Sequence, residues 1–240
     1  MPLEVAEEDS GDGQAAGLPE RGKPIAALPE SGIALYPLGE QGVSEDGVVL
    51  EIGDRRQRLD WRYTTPRQIM PVMQAGDYDG DGKDELAVIL NVDSGTGVSV
   101  DELHMVEFHG VNGTPDEPFI DYMMQADDYR EQLEEAHAFR VIERGGEWFG
   151  EVEIGGRITE VGLQDWLTSY EIAPEAIQAT LGFGNLITFE ADRGGITFAA
   201  AIGLVVDGIA EPQYIGSIAA DVAYGQGMLT LGNYRFAPEL

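Results

Sequence analysis

The sequence predicts a mainly β protein, in which antiparallel hairpins form a sandwich or a partial propeller-like β domain with one short helix near 127–138. Strand-like runs flank Gly155-Gly156, Asp192-Arg193-Gly194-Gly195 and Gly225-Gln226-Gly227, and β-rich runs on either side of a glycine turn are the local signature of a hairpin. The run Leu86-Ala87-Val88-Ile89-Leu90 is short, apolar and partly β-branched, which suits a buried strand. A convincing helical period occurs once, between Asp127 and Ala138.

Residues 1–32 are rich in Glu, Gly, Ala and Pro and carry no apolar period. They read as a flexible acidic tether, with Pro19, Pro24 and Pro29 opposing any helix. Residues 33–240 read as a single mainly β domain. Its first strand is expected at Ile33-Ala34-Leu35-Tyr36 and the next at Val48–Ile52, closed by the turn Gly53-Asp54. Residues 55–67 hold five of the twelve arginines, and in so acidic a chain these read as partners of carboxylates rather than as an anion site. Trp61 and Tyr63 are expected in the core with their polar tips partnered.

Val98 to Phe108 alternates as a strand does, with Val98, Val100, Leu103 and Met105 as inward positions. The alternation breaks around Glu102, which suggests a bulge. Asn112-Gly113 marks a turn. In the helix, Asp127 or Asp128 is placed to cap the N-terminus, and Tyr129, Leu133 and Ala136 share a face. Beyond it lie three hairpins: Trp148–Ile154 with Arg157–Val161, Leu186–Ala191 with Ile196–Val206, and Tyr214–Tyr224 with Met228–Phe236.

Composition narrows the function. The formal charge is −30, from 44 acidic against 14 basic residues. Nucleic acid and anionic membrane surfaces would be repelled, whereas divalent cations would relieve the self-repulsion. A hydrophobic content of 43% supports a substantial core. There is no cysteine, so disulfides, thiolate metal sites and thiol nucleophiles are excluded. Met1-Pro2-Leu3 leads into acidic residues without a leader or a membrane-spanning run, so no direct membrane insertion is expected of this chain.

The most specific segment is Asp77-Tyr78-Asp79-Gly80-Asp81-Gly82-Lys83-Asp84-Glu85. Ca²⁺ takes six to eight oxygens at about 2.3–2.6 Å in a flexible shell, and alternating carboxylates on a tight loop can supply them. Asp77, Asp79 and Asp81 are the expected side-chain ligands, Gly82 permits the sharp turn, Lys83 offers its main-chain carbonyl, and Glu85 closes the shell. An EF-hand would need a bidentate Glu at the twelfth position and a helix on each side. Here that position is Val88, inside the apolar run.

A loop of this type followed by Leu86-Ala87-Val88 resembles the calcium loop of FG-GAP and VCBS repeats, known from integrin-type β-propellers and bacterial surface proteins. The resemblance covers residues 75–90. It continues more loosely to Phe108, where Ser94 to His104 is similar to small extracytoplasmic proteins of Gram-positive anaerobes, as are Leu59-Asp60-Trp61 and Thr65-Pro66-Arg67. It departs from the pattern at Glu85, where the repeats usually carry Asp. The presence of one Asp-rich loop excludes a full propeller with a metal in each blade. The resemblance and the calcium loop together imply an extracytoplasmic, secreted or surface-anchored, lipoprotein-like setting, with any leader outside this chain.

Other motifs carry less. Val92-Asp93-Ser94-Gly95-Thr96 mimics an aspartic-peptidase signature, but that chemistry needs two such Asp residues. The other Asp-Ser-Gly, at Asp9, lies in the tether. Glu151 and Glu153 share a strand face, as solvated acidic residues commonly do. His104, His109 and His137 are too scattered for a zinc site. Trp148, Trp166 and Tyr170 suit core packing better than a sugar platform. No nucleotide-binding or nucleophile-elbow motif occurs. The expectation is therefore a non-enzymatic calcium-binding domain, with no catalytic or organic-cofactor residues, whose scaffold binds a protein or glycan partner. A carbohydrate- or protein-binding surface module stiffened by calcium is the alternative, and a hydrolase using Asp93 a further one.

Overall fold

The computed structural model describes residues 22–39, 43–44, 46–108 and 118–239. The chain opens with β1 (Ala26–Leu28), β2 (Ile33–Pro37), β3 (Val43–Ser44), β4 (Val48–Ile52), β5 (Arg55–Leu59) and β6 (Tyr63–Thr64). Strands β1, β2, β4 and β5 form one antiparallel sheet in the order β1-β2-β4-β5, while β3 pairs with β6. Next come β7 (Val72–Gly76), β8 (Glu85–Gly95), β9 (Val98–Phe108) and β10 (Phe119–Met123), then α1 (Ala126–Ala136). The chain continues through β11 (His137–Arg144), β12 (Glu147–Ile154), β13 (Arg157–Gly162) and α2 (Gln164–Tyr170). It ends with β14 (Ile177–Asp192), β15 (Gly195–Val206), β16 (Gln213–Gly225) and β17 (Met228–Pro238).

An eight-stranded sheet runs β17-β16-β15-β14-β9-β8-β7, with β10 added beside β9. Its neighbours are antiparallel except where β14 meets β9 in parallel, Leu186 opposite Ser99 and Ile187 opposite Val100. Strands β11, β12 and β13 make a separate three-stranded meander. The fold is thus mainly β, and its layered sheets fit the sandwich form of the sequence reading. Among the described residues no helix is long and apolar enough to cross a membrane.

The layering follows from the side chains of β8, which is buried from Glu85 to Asn91. Residues on a strand alternate between faces. Leu86, Val88 and Leu90 enter a core with Leu35, Leu50, Trp61 and Tyr63 of the N-terminal strands. Ala87 and Ile89 enter a larger core with Leu103, Met105, Leu133 and Phe198. An unbroken apolar run is what a strand covered on both faces requires.

The three C-terminal hairpins form as predicted, as β12–β13, β14–β15 and β16–β17, all antiparallel, with register shifts within the latter two. Several boundaries differ. Residues 1–21 of the expected tether, with Asp9, and also His109 and the Asn112-Gly113 turn, lie outside the described residues. Order begins earlier than residue 33: β1 pairs with β2, the Ile25 N–H donates to the Leu35 carbonyl at 2.8 Å, and Ile25 is 4% exposed. The four-residue apolar patch Ile25-Ala26-Ala27-Leu28 between Pro24 and Pro29 is too short to show a period, yet it adds an edge strand to the sheet.

The bulge expected near Glu102 lies across the ladder on β8, between Asn91 and Asp93. Helix α1 starts at Ala126 with Gln125 as its cap. Asp128 accepts the Gln125 N–H at 3.0 Å, making it the far half of a capping box rather than the cap. The helix stops at Ala136 because His137 begins β11. Helix α2 has seven residues, too few for a legible period.

Candidate metal site

Strand β7 ends at Gly76, paired with Glu85 at the start of β8, so residues 77–84 form the connection of a hairpin. The loop is folded by its own carboxylates. Asp77 accepts from the Gly80 N–H at 2.8 Å and the Gly82 N–H at 3.1 Å. Asp79 accepts from the Asp81 N–H at 2.9 Å, and Asp81 from the Lys83 N–H at 2.8 Å. Such side-chain to backbone bonds two or more residues ahead are the natural chemistry of Asp in turns. Gly80 and Gly82 sit at φ 79° and 87°, the left-handed region where a Cβ is strained.

Of the four carboxylates predicted as ligands, the structure gathers three. Asp77, Asp79 and Glu85 each place a carboxylate oxygen within 4.8 Å of the others. Asp81 is engaged elsewhere: its carboxylate holds the Lys83 ammonium at 2.7 Å. That bond keeps Asp81 below the usual carboxylate range and raises Lys83 in turn. The Lys83 side chain therefore competes for a ligand that its own carbonyl was expected to join.

Glu85 stands apart from its exposed partners, being 5% exposed. Burial pushes its carboxyl above the usual range, while the Tyr78 N–H, donating to Oε2 at 2.8 Å, pulls the other way. Beside the loop is a groove of about 690 Å³ whose walls include Leu28, Gln74, Asp77, Asp84 and Arg193.

The weaker motifs follow the sequence expectations only in part: Glu151, expected on a solvated strand face, is buried, and Tyr170, expected in the core, is 62% exposed. Asp93 is exposed at the end of β8, near the turn into β9. Glu151 is buried and paired with Arg140 and Arg144, whereas Glu153 is exposed. Trp166 and Tyr170 have rings 5.5 Å apart along α2, and Trp148 packs on the larger core. Arg56 pairs with Glu51 at 3.3 Å, and Arg58 donates to the Asp46 carbonyl at 3.2 Å. Trp61 is buried with its indole N–H on Asp121 at 2.6 Å, while the Tyr63 hydroxyl is buried without a partner among the described residues.

Two features were missed by the sequence reading. The Tyr78 hydroxyl reaches the β14–β15 turn at Asp192. His104, Asp121 and Trp61 converge in a second groove. Both join positions far apart in the chain, and no local pattern announces them. Compared with family models, with curated proteins and with solved structures, the chain matches none.

Proposed function

We propose that the loop binds one Ca²⁺ through Asp77, Asp79, Asp81, Glu85 and the Lys83 carbonyl. In this reading the protein is a non-enzymatic, extracytoplasmic domain whose calcium-stiffened β scaffold binds a protein or glycan. The observation carrying the proposal is the approach of three carboxylate oxygens to within 4.8 Å of one another. Oxygens on opposite sides of one Ca²⁺, at about 2.3–2.6 Å each, stand about 4.6–5.2 Å apart. Three like charges this close repel one another, and a divalent ion removes that cost. Asp81 completes the shell by exchanging Lys83 for the ion. The resemblance to FG-GAP and VCBS loops supports the same assignment, and the groove beside the loop is the natural place for the partner.

Isothermal titration calorimetry tests it. Calcium should bind with a stoichiometry of one, and at a hundredfold excess over Kd it should stabilise the fold by about 2.7 kcal/mol. Asp77→Asn and Glu85→Gln should abolish binding, Asp84→Asn should leave it, and Lys83→Met should retain or strengthen it. Absence of Ca²⁺ binding by the folded wild-type protein would sink the proposal.

A further inference from the structure

On the N-terminal side of β9, remote in sequence from the acidic loop, His104 is 2% exposed and makes an incomplete set of bonds. Its Nδ1 lies 3.1 and 3.0 Å from the two oxygens of Asp121. Its ring rests on Trp61, centroid to centroid 4.3 Å, and the Trp61 indole donates to the same carboxylate at 2.6 Å. Asp121 accepts the Nδ1 proton, so in the neutral form of the ring the lone pair falls on Nε2. Nε2 is buried with no hydrogen-bond partner among the described residues. The nearest charged group is the Glu102 carboxylate at 3.8 Å, which is itself an acceptor.

In the neutral form of the ring, Nε2 and the Glu102 carboxylate are two acceptors facing each other across a buried gap, and they call for a donor between them. A buried acceptor left without one is costly, and a lone pair opposed by a carboxylate more so. These groups open on a groove of about 590 Å³, a volume suited to a small organic ligand. Its remaining walls divide into apolar Leu59, Val92 and Met123, and charged Asp60 and Arg62. Three carboxylates, Asp60, Glu102 and Asp121, stand against the one guanidinium of Arg62 in its lining.

We propose that this groove binds an aliphatic primary ammonium. One N–H donates to His104 Nε2 and a second to the Glu102 carboxylate, while the alkyl chain lies on Leu59, Val92 and Met123. Glu102 is the movable part, its side chain 37% exposed, and it turns outward to admit the ammonium to the otherwise closed Nε2. Asp121 is a positioning residue: it fixes the tautomer that leaves Nε2 free to accept. A neutral alcohol would satisfy the lone pair without matching the groove's charge, and a carboxylate would be repelled. The site is independent of the calcium loop.

The test uses the folded full chain with pentylamine, at about 0.15 M salt to screen nonspecific attraction to a polyanion, and with excess Ca²⁺ to occupy the acidic loop. Heteronuclear NMR of the His104 ring should show a bare Nε2 in the free protein, and saturable one-to-one binding that shifts this nitrogen. Glu102→Gln should weaken binding about tenfold or more, since a charge-assisted bond is lost. Glu175→Gln, an equal charge change on a distant exposed residue, should leave it unaltered. The proposal is overturned if Nε2 already carries a proton in the free protein, or if pentanol binds as well as pentylamine. It is also overturned if pentylamine fails to bind, or binds equally to Glu102→Gln.

Discussion

The Tyr78 hydroxyl donates to the Asp192 carbonyl at 2.9 Å, joining the acidic loop to a turn 114 residues further along the chain. The loop is thereby fixed at both ends, by the β7–β8 ladder at its base and by the β14–β15 turn at its flank. Anything that orders the loop also orders that turn.

Tyr78→Phe should remove this tie and cost about 0.5–1.5 kcal/mol of stability near neutral pH. Its alkaline behaviour should change as well. Burial, aided by Asp192, Asp84 and Glu85, pushes the Tyr78 hydroxyl up to about 12 from a reference of 10.0. Between those values the unfolded chain loses a proton that the folded chain keeps, so wild-type stability falls as pH rises through that window. This component of the slope should vanish in Tyr78→Phe, which parallel urea titrations at a series of alkaline pH values would show.

Calcium binding should release protons in mildly acidic solution. Burial raises the Glu85 carboxyl above its reference of 4.5, and the ion requires the charged form. Without metal, the folded state holds the proton more tightly than the unfolded chain, so acidification toward 4.5 relieves a destabilising charge and favours folding at this site. With metal the sign reverses, because protonation expels the ion. Calorimetry at about pH 5 in buffers of different ionisation enthalpy should give different apparent heats, converging at about pH 7.5. Identical heats at both pH values would exclude Glu85 as a titrating ligand.

A chain beginning at residue 33 should melt several degrees below one beginning at residue 22. The shorter chain lacks β1 and Ile25, which is 4% exposed, and burying one such side chain contributes about 1.5–3 kcal/mol. Equal melting temperatures would mean that β1 adds nothing to the sheet it joins.

Gly203→Ala should destabilise the fold by about 1–3 kcal/mol through overpacking. An added Cβ would lie 2.6 Å from the Gln213 carbonyl on the neighbouring strand, at the register shift between β15 and β16. Gly162→Ala is the control, because nothing lies within 4 Å of its added methyl. Thermal melts of the two variants should separate clearly, with Gly162→Ala close to wild type.

What the sequence disclosed was local. Gly155-Gly156 and Gly225-Gln226-Gly227 announced their hairpins because a reversal needs positive φ and short strands on both sides. Asp77 and Asp79 were legible because their spacing matches a turn that their own side chains build. The spacing of Asp81 shows its reach but not its rival: Lys83 is two residues away and holds its carboxylate in this structure. The parallel meeting of Leu186 with Ser99, and the convergence of Trp61, His104 and Asp121, depend on packing between distant segments. No period or turn encodes such meetings. Helix α2 and strand β1 escaped because they are short, and tertiary contacts rather than intrinsic preference hold them.

Strand β8 has a consequence for how the molecule comes apart. Leu86, Val88 and Leu90 belong to one core, and Ala87 and Ile89 to the other. Neither core can open without stripping a face of the same strand, so the N-terminal strands and the C-terminal hairpins are thermodynamically coupled. The amides of Val88 and Ile89 should exchange with solvent deuterium only through global unfolding, as the slowest class in the protein. A protease cut in the exposed Thr96-Gly97 turn should yield two fragments that stay associated and unfold in a single transition.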